Sequence, residues 1–504
     1  MLQDIKRPIN FRPILLCALS LFLGVIIFQY YPVFKAWTIV IPIVGVGLIA
    51  LLFCALVKRE NRQVVLNTAA ICLVFIFVGM LSLGLRVHSL TKDNPQDGVY
   101  TVVGEVKKVS YKQGAWYFTL TDCEYDGARG SDLYVYAVTN EVELYDIVKL
   151  KGYAKGEGVI DGVKISNKIL NGRPMSVSEP YELEIIGRSD SLASRFKTRT
   201  DQIFYNALGE DGGILSALIR GDVSKMKEGV DLFRLAGIAH IFAVSGMHIG
   251  LIYAALSFMF SKIKIKRGIK VAVISLALVF YSYLCGLSPS SLRAVIMCTC
   301  LMLSKLLGEK HDGVNALSEA AIIVVLINPL DLFSAGFKLS FLVCLSIIIL
   351  APPIKSVLKF MPEAFSSSIS VLCASQLAAI PLSVIYFSGV PLISFVANFL
   401  LLPIVSLLYY FVAIATLLCL VLPINELIAL FIPKILIAGI KGLTECTVML
   451  PLIVDYMTKP IMAVYYFLLF CISDVVNLPK KVKFSCGVVF LALVLFVVAH
   501  SFFG

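Results

Sequence analysis

The chain has 504 residues, of which 59% are hydrophobic and 15% are charged, and its formal net charge is +11. This composition excludes an ordinary soluble enzyme, because several apolar runs approach or exceed the roughly 20 residues that span a bilayer. We therefore predict a polytopic α-helical membrane protein with about 10 to 13 spans and one all-β domain. The basic balance fits inner-side loops better than a nucleic-acid-binding surface.

Residues 1–85 contain three apolar segments, at 13–30, 36–57 and 63–85, which we interpret as three transmembrane helices. Basic residues precede the first segment and separate the second from the third: Lys6, Arg7, Arg12, Lys58, Arg59 and Arg62. Because basic loops stay inside, the N-terminus is predicted to be cytoplasmic and the third span to end outside. A second basic cluster, at 262–270, agrees with this topology.

Residues 86–187 differ from the rest, because short runs of β-branched and aromatic residues alternate there with Gly, Asn and Asp. This pattern indicates a small extracytoplasmic β-barrel or sandwich. Trp116, Tyr117 and Phe118 could stack on nucleic-acid bases. The domain has 12 basic and 15 acidic residues, so with a net charge of −3 it offers no excess of positive charge for binding phosphates.

A helical, partly amphipathic connector is predicted over 188–235, and the segment after it, 236–250, holds the candidate site. His240, Ser245 and His248 lie there in an otherwise apolar run. Polar groups at membrane depth are costly and usually mark a pathway or a site. If 238–260 is one helix, these three side chains share a broad face, and Gly246 and Gly250 allow close helix packing.

Two other interpretations of this segment stay open. The polar groups could merely bond neighbouring helices, or Ser245 and His248 could form a nucleophile and base at i,i+3 spacing. The second interpretation lacks a third group that would orient the base. No histidine and cysteine spacing predicts a metal site, and no cofactor is expected.

Further polar residues recur in the apolar core that we assign to 236–421, before C-terminal membrane helices at 422–504. Those assigned with His240, Ser245 and His248 to a polar path are Arg293, Lys338, Gln376 and Asn398. Prolines nearby permit broken helices, which are tolerated where backbone lines a cavity. Two cations without an evident acidic partner would favour passage of an anion.

Several separated motifs resemble those of the ComEC-type competence proteins, in the same order. They are Leu218-Ile-Arg-Gly-Asp222, the run from Leu232 to Gly250, Tyr283-Leu-Cys-Gly-Leu-Ser-Pro-Ser-Ser-Leu-Arg-Ala294, Asp312-Gly-Val-Asn-Ala316, Asn328-Pro-Leu-Asp-Leu-Phe333, Gly336-Phe-Lys-Leu-Ser-Phe341 and Ala397-Asn-Phe-Leu-Leu-Leu-Pro403. The resemblance implies an OB-like barrel and import of single-stranded DNA through the plasma membrane. It also implies partner proteins: a DNA receptor, a helicase motor and a nuclease.

The chain departs from this family's pattern in two ways. Lys338 stands where relatives usually have glutamine. Many relatives also carry a C-terminal metallo-β-lactamase-like domain, which these 504 residues lack, so neither nuclease activity nor bound metal is carried over. The sequence therefore predicts a DNA-uptake channel that conducts a polyanion and is not an enzyme. A transporter of another polyanion or small anion is the alternative, and an intramembrane hydrolase is a minor one.

Overall fold

The structure is a computed structural model that describes residues 13–30, 45–47, 62–112, 114–156, 160–161, 164–226, 229–387, 389–448, 453–473 and 479–503. These residues form two compact units. The barrel unit comprises Pro13–Thr198 with Ser318–Ser334, and the helical unit comprises Arg199–Leu317 with Ala335–Gly504. In each unit, local sequence patterns account for the helices and strands.

Two apolar helices begin the barrel unit, α1 (Pro13–Tyr30) and α2 (Arg62–Thr91). Their backbones touch at two glycines: a Cβ on Gly24 would lie 2.0 Å from the carbonyl oxygen of Ile76, and one on Gly79 would lie 2.3 Å from that of Leu21. Small residues permit such close helix packing. The predicted second span, 36–57, lies outside the described residues except for 45–47.

The β-rich segment folds into a closed five-stranded barrel, as the sequence predicted. Its strands pair in the cyclic order β1–β2–β4–β8–β5–β1, and only the β4–β8 pair is parallel. The strands are β1 (Gly98–Lys112), β2 (Ala115–Tyr125), β3 (Ala128–Arg129), β4 (Leu133–Val138), β5 (Asp146–Gly156), β6 (Ile160–Asp161), β7 (Lys164–Ile165), β8 (Met175–Ser178) and β9 (Glu182–Arg188), with a short helix α3 (Asn167–Leu170) before β8. Strand count and closure agree with an OB-like barrel.

Side chains alternate along these strands between the barrel core and the outside, as the period of two requires. On β2 every second residue from Trp116 to Leu120 is buried, and on β5 the inward residues are separated by exposed lysines and Tyr153. The added strand β9 pairs with β5 outside the closed barrel. Arg188 at its end forms ion pairs with Asp146 and Glu143, which fasten the strand as it leaves the barrel.

The helical unit contains fourteen described helices that begin or continue in it, joined by short loops. They are α4 (Leu192–Leu208), α5 (Gly212–Arg220), α6 (Gly229–Leu235), α7 (Gly246–Ser261), α8 (Arg267–Leu284), α9 (Pro289–Leu307), α10 (Gly313–Ile327), α11 (Ala335–Val357), α12 (Glu363–Phe387), α13 (Ser394–Val421), α14 (Glu426–Ala429), α15 (Phe431–Val448), α16 (Lys459–Ile472) and α17 (Lys480–Phe503). A two-stranded ribbon, β10 (Val390–Pro391) with β11 (Ile453–Val454), joins the segment after α12 to the segment before α16.

Local sequence explains where several of these helices begin and end. Ser288 caps the first turn of α9, Pro289 occupies its first position, and Gly308 ends it in the left-handed conformation. Serine at the cap, proline at the first position and glycine after the last turn are the preferred residues there.

Eight described helices are long and apolar enough to cross a membrane. Three shorter apolar helices accompany them, at Gly246–Ser261, Gly313–Ile327 and Lys459–Ile472. The predicted number of about 10 to 13 spans therefore stays a prediction.

One long helix, α12, contains Pro381, which has no N–H to donate to the carbonyl of Leu377. The hydroxyl of Tyr465 in α16 donates to that carbonyl at 2.9 Å, and the hydroxyl of Tyr466 donates to the carbonyl of Ala378 at 2.8 Å. Two phenols from a neighbouring helix thus satisfy the backbone where proline weakens it.

Candidate functional site

The segment 236–250 is not one helix, contrary to the prediction for 238–260. A 3₁₀ turn occupies Ala239–Phe242, an extended stretch follows, and α7 begins only at Gly246. Ser245 is the helix cap, with φ −120° and ψ 175°, and its hydroxyl accepts from the N–H of Met247. Serine favours this position because its side chain satisfies an N–H that has no partner within the helix. The angles expected for a continuous helix therefore do not apply to His240 and Ser245.

Ser245 and His248 are in direct contact through capping and not through a shared helix face. Nδ1 of His248 accepts from the Ser245 backbone N–H at 3.1 Å and lies 3.2 Å from the Ser245 hydroxyl. This is a capping box in which histidine replaces the usual glutamate. The ring of His248 is fully buried and packs edge-on against Tyr409, with centroids 4.9 Å apart.

This geometry does not favour the hydrolase interpretation. A general base must have a free lone pair for the serine proton, whereas Nδ1 of His248 already accepts a backbone N–H. The other ring nitrogen, Nε2, is buried, and no described residue forms a hydrogen bond with it, so no carboxylate orients the imidazole.

Glycines allow close contacts around this segment. A Cβ on Gly246 would lie 2.5 Å from a terminal nitrogen of Arg293, and one on Gly237, whose φ is +72°, would lie 2.4 Å from Cβ of Ser394. The space at Gly246 is occupied by the end of the flexible Arg293 side chain, so a larger residue there would displace the guanidinium. A Cβ on Gly250 would meet no described atom within 4 Å, so the structure does not show the close helix packing predicted for this residue.

Arg293 of α9 reaches this site from the neighbouring helix. It is 9% exposed, and one terminal nitrogen donates to the carbonyl of Ser340 in α11 at 3.0 Å. The hydroxyl of Ser340 in turn donates to that of Ser290 at 3.0 Å. The structure thus brings Ser245, His248 and Arg293 together around the first turn of α7.

Of the remaining residues of the predicted path, Lys338, Gln376 and Asn398 lie elsewhere in the helical unit, whereas His240 is near enough to His248 to interact with it electrostatically. Lys338 donates to the hydroxyl of Tyr386 at 2.9 Å, and Asn398 donates to the carbonyl of Ser394 at 2.7 Å. Gln376 is half-buried on α12, and His240 is exposed in the 3₁₀ turn. None of these four is hydrogen-bonded to Ser245, His248 or Arg293 in the described part of the chain.

Whether the side chains of the predicted path can line an open passage depends on how exposed they are. His248, Arg293 and Asn398 are all buried in helix contacts. In this conformation the three therefore do not line an open passage, although the sequence predicted a continuous polar path.

Two tyrosines that the sequence did not single out extend the buried polar group. The Tyr409 hydroxyl donates to that of Tyr281 at 3.0 Å, and Tyr281 donates to the carbonyl of Ile219 at 2.6 Å. They link α13, α8 and α5 across 128 and 62 positions of the chain. A lone tyrosine in an apolar run carries no signal that would distinguish it from other interfacial tyrosines.

The barrel presents a second candidate surface, and it differs from the predicted one. Trp116 is 4% exposed and Phe118 is 1% exposed, so both belong to the barrel core and cannot stack on bases. The alternation of β2 leaves Tyr117 facing outward, beside Tyr136 of β4 with ring centroids 6.4 Å apart.

Arg173 completes this outer surface and covers Tyr134, which is only 9% exposed and is therefore not free to stack on bases. The Tyr134 ring lies 4.6 Å from that of Tyr136, and the guanidinium of Arg173 lies 3.7 Å above the centre of the Tyr134 ring. Burial raises the pKa of the Tyr134 phenol, and the nearby Arg173 charge opposes this rise. We call Tyr117, Tyr136 and Arg173 the aromatic face. Its rings and guanidinium are groups that stack on bases.

Comparison with known proteins identifies the family of this chain. The model of the "Competence protein" family matches residues 218–479, slightly more than half of the chain. ComE operon protein 3 of Bacillus subtilis strain 168 is 30% identical over 203 residues, 40% of this chain and 26% of that protein. Uncharacterized protein YcaI of Escherichia coli strain K12 is 27% identical over 200 residues, 36% of this chain and 26% of that protein.

Each match spans about a quarter of the relative's own length. No solved structure is significantly similar. The matched residues contain the whole site around the first turn of α7, including Ser245, His248 and Arg293. The chain belongs to the competence protein family, as its ComEC-type motifs predicted.

Proposed function

We propose that this protein is a plasma-membrane channel through which single-stranded DNA enters the cell during transformation. The observation that carries the proposal is a buried cation, Arg293, which lies against a helix N-terminus within residues that match the competence family. Positive groups inside an apolar bundle suit the passage of a polyanion. The protein would conduct its substrate and would not catalyse a reaction.

The eight apolar helices support a membrane location. The basic clusters at the N-terminus and at 262–270 support a cytoplasmic N-terminus and an extracytoplasmic barrel. A separate DNA receptor, a helicase motor and a nuclease would act with it.

The aromatic face would receive the incoming strand. Stacking tolerates any sequence because every base has a π-face, and Arg173 adds one positive charge at the same place. The domain's net charge of −3 means that affinity would depend on these contacts and not on a broad basic surface.

The buried state of His248 and Arg293 implies that the conformation described here is closed. Conduction would then require the helices around the first turn of α7 to separate. Pro352, Pro353 and Pro403 lie within α11 and α13, where a missing N–H makes bending less costly.

Transformation frequency tests the proposal. The gene would replace the native competence channel gene of a transformable bacterium, and His248→Ala and Arg293→Ala would be compared with wild type at equal protein level. We expect at least a tenfold loss for each variant and no loss for Lys264→Ala, which removes an exposed cation between α7 and α8. Undiminished transformation in both site variants would contradict a path through this site.

A channel for another anion is the second candidate, and the acidic balance of the barrel domain favours it. Binding of a labelled oligonucleotide to the purified protein distinguishes the two. We expect binding that weakens when Tyr117 and Tyr136 are both replaced by alanine. Equal binding of DNA and of an unrelated polyanion, unaffected by these replacements, would favour the second candidate.

A further inference from the structure

Arg293 has fewer partners than a buried guanidinium requires. One terminal nitrogen bonds to Ser340 and the guanidinium also interacts with the thiol of Cys344, but Nε is buried and has no hydrogen-bond partner among the described residues. In the described part of the helical unit, the ion pairs of arginine and lysine involve other residues, and none includes Arg293. An isolated buried charge is strongly unfavourable unless an opposite charge or hydrogen bonds compensate it. The surroundings of Arg293 therefore favour a counter-anion.

The guanidinium of Arg293 also lies beside the N-terminus of α7, which carries a partial positive charge. Gly246 is the first residue of α7, a helix of 16 residues, and a side-chain carbon on it would lie 2.5 Å from the Arg293 terminal nitrogen. The N-terminus of a helix carries a partial positive charge and binds anions. A cation placed there is repelled unless an anion lies between them.

His248 adds a donor in the first turn of the same helix. Its Nδ1 accepts the Ser245 N–H, so in the neutral ring Nε2 carries the hydrogen. That nitrogen is buried and has no hydrogen-bond partner among the described residues. Two buried donors, on Arg293 and His248, thus remain unused next to one helix N-terminus.

We propose that Arg293 and the first turn of α7 form a binding station for one phosphodiester group of the transported strand. A phosphodiester carries one negative charge and two free oxygens, which suit the guanidinium of Arg293 on one side and the Nε2–H of His248, in the first turn of α7, on the other. Gly246 is required because any side chain would displace the guanidinium. This inference rests on the proposed function, since it takes DNA as the source of the phosphate.

The salt dependence of oligonucleotide binding tests the station. The full chain in zwitterionic detergent would bind a fluorescent oligothymidylate, with anisotropy followed across salt concentrations. For Arg293→Gln we expect about tenfold weaker binding at low salt and a log–log salt slope smaller by about 0.7, the value for one phosphate contact on a single strand. Lys264→Gln, the matched loss of one exposed charge, should leave both unchanged. An uncharged methylphosphonate oligonucleotide should bind wild type and Arg293→Gln equally.

A folded Arg293→Gln with the wild-type slope would overturn the station while leaving the proposed function intact. If the wild-type chain binds charged and uncharged oligonucleotides equally, the station and the proposed function both fail. If phosphatidylglycerol raises the melting temperature of wild type but not of Arg293→Gln, and DNA binding is the same in both, the ligand is a lipid headgroup and the assignment to DNA is wrong.

Gly246→Ala decides the question if Arg293→Gln does not fold. Its methyl group would push the guanidinium aside while the charge stays in place. We expect weaker oligonucleotide binding in this variant. Wild-type affinity in a folded Gly246→Ala would overturn the station.

Discussion

Neighbouring residues of β2 provide a direct test of which barrel side chains hold the fold and which are free to bind. Phe118 is 1% exposed within the barrel core, and Tyr117 faces outward. Replacing a fully buried phenylalanine by alanine costs about 3–5 kcal/mol, because the transfer energy of the ring is lost and a cavity remains. Tyr117→Ala removes a half-buried ring and should cost about 1 kcal/mol or less.

The two tryptophans of the chain give this test a specific signal. Trp116 lies in the barrel core, so Trp37→Phe leaves its fluorescence as a reporter of barrel unfolding. In that background, Phe118→Ala should shift the urea midpoint by about 1–5 M, since m is about 1–3 kcal/mol/M for small domains. Tyr117→Ala should leave the midpoint nearly unchanged while it weakens oligonucleotide binding. Equal shifts in the two variants, or a larger shift for Tyr117→Ala, would refute the assignment of inward and outward faces.

Three further predictions follow from contacts described above. Gly79→Leu should destabilise the protein by about 1–3 kcal/mol, because its side chain would collide with the backbone of Leu21, whereas Gly487→Leu, with open space around it, should not; thermal melting measures both. Burial raises the pKa of the Cys123 thiol to about 12 from 9.0, so the thiol stays protonated in the fold but ionises in the unfolded chain. Barrel stability should therefore fall by about 1.4 kcal/mol per pH unit between these values, and Cys123→Ala should reduce this slope in urea titrations. Ser245→Ala should cost about 1 kcal/mol and Ser245→Asn much less, since asparagine also caps helices; an equal loss in both would contradict the capping role.

The sequence predicted the elements of the barrel better than it predicted their orientation. Runs of β-branched and aromatic residues between Gly, Asn and Asp indicated short strands over 86–187, and β1 and β2 are among the strands observed there. The phase of the alternation was not evident, since Trp116, Tyr117 and Phe118 are all aromatic and any of them could face the core. Closure of the barrel decides the phase, and closure depends on pairings between distant strands.

The same limit applies to the candidate site. Proximity of Ser245 to His248 followed from their spacing, but the helix start at Gly246 did not, because the apolar run around it suggested one continuous span. The approach of Arg293 to Gly246 depends on how two helices pack. Short-range patterns carry no information on such long-range contacts, and the pairing of Tyr281 with Tyr409 is another example.

The pair of phenols on α12 has a consequence for how this helix can move. A proline inside a helix ordinarily makes bending easier. Here Tyr465 and Tyr466, on a separate helix, donate hydrogen bonds to the carbonyls of Leu377 and Ala378 next to Pro381. A larger bend there must break both hydrogen bonds, at about 1 kcal/mol each. Bending at Pro381 is therefore restrained by side chains that lie 88 residues further along the chain than the carbonyls they bond. How far α12 bends at this point thus depends on α16 as well as on the proline.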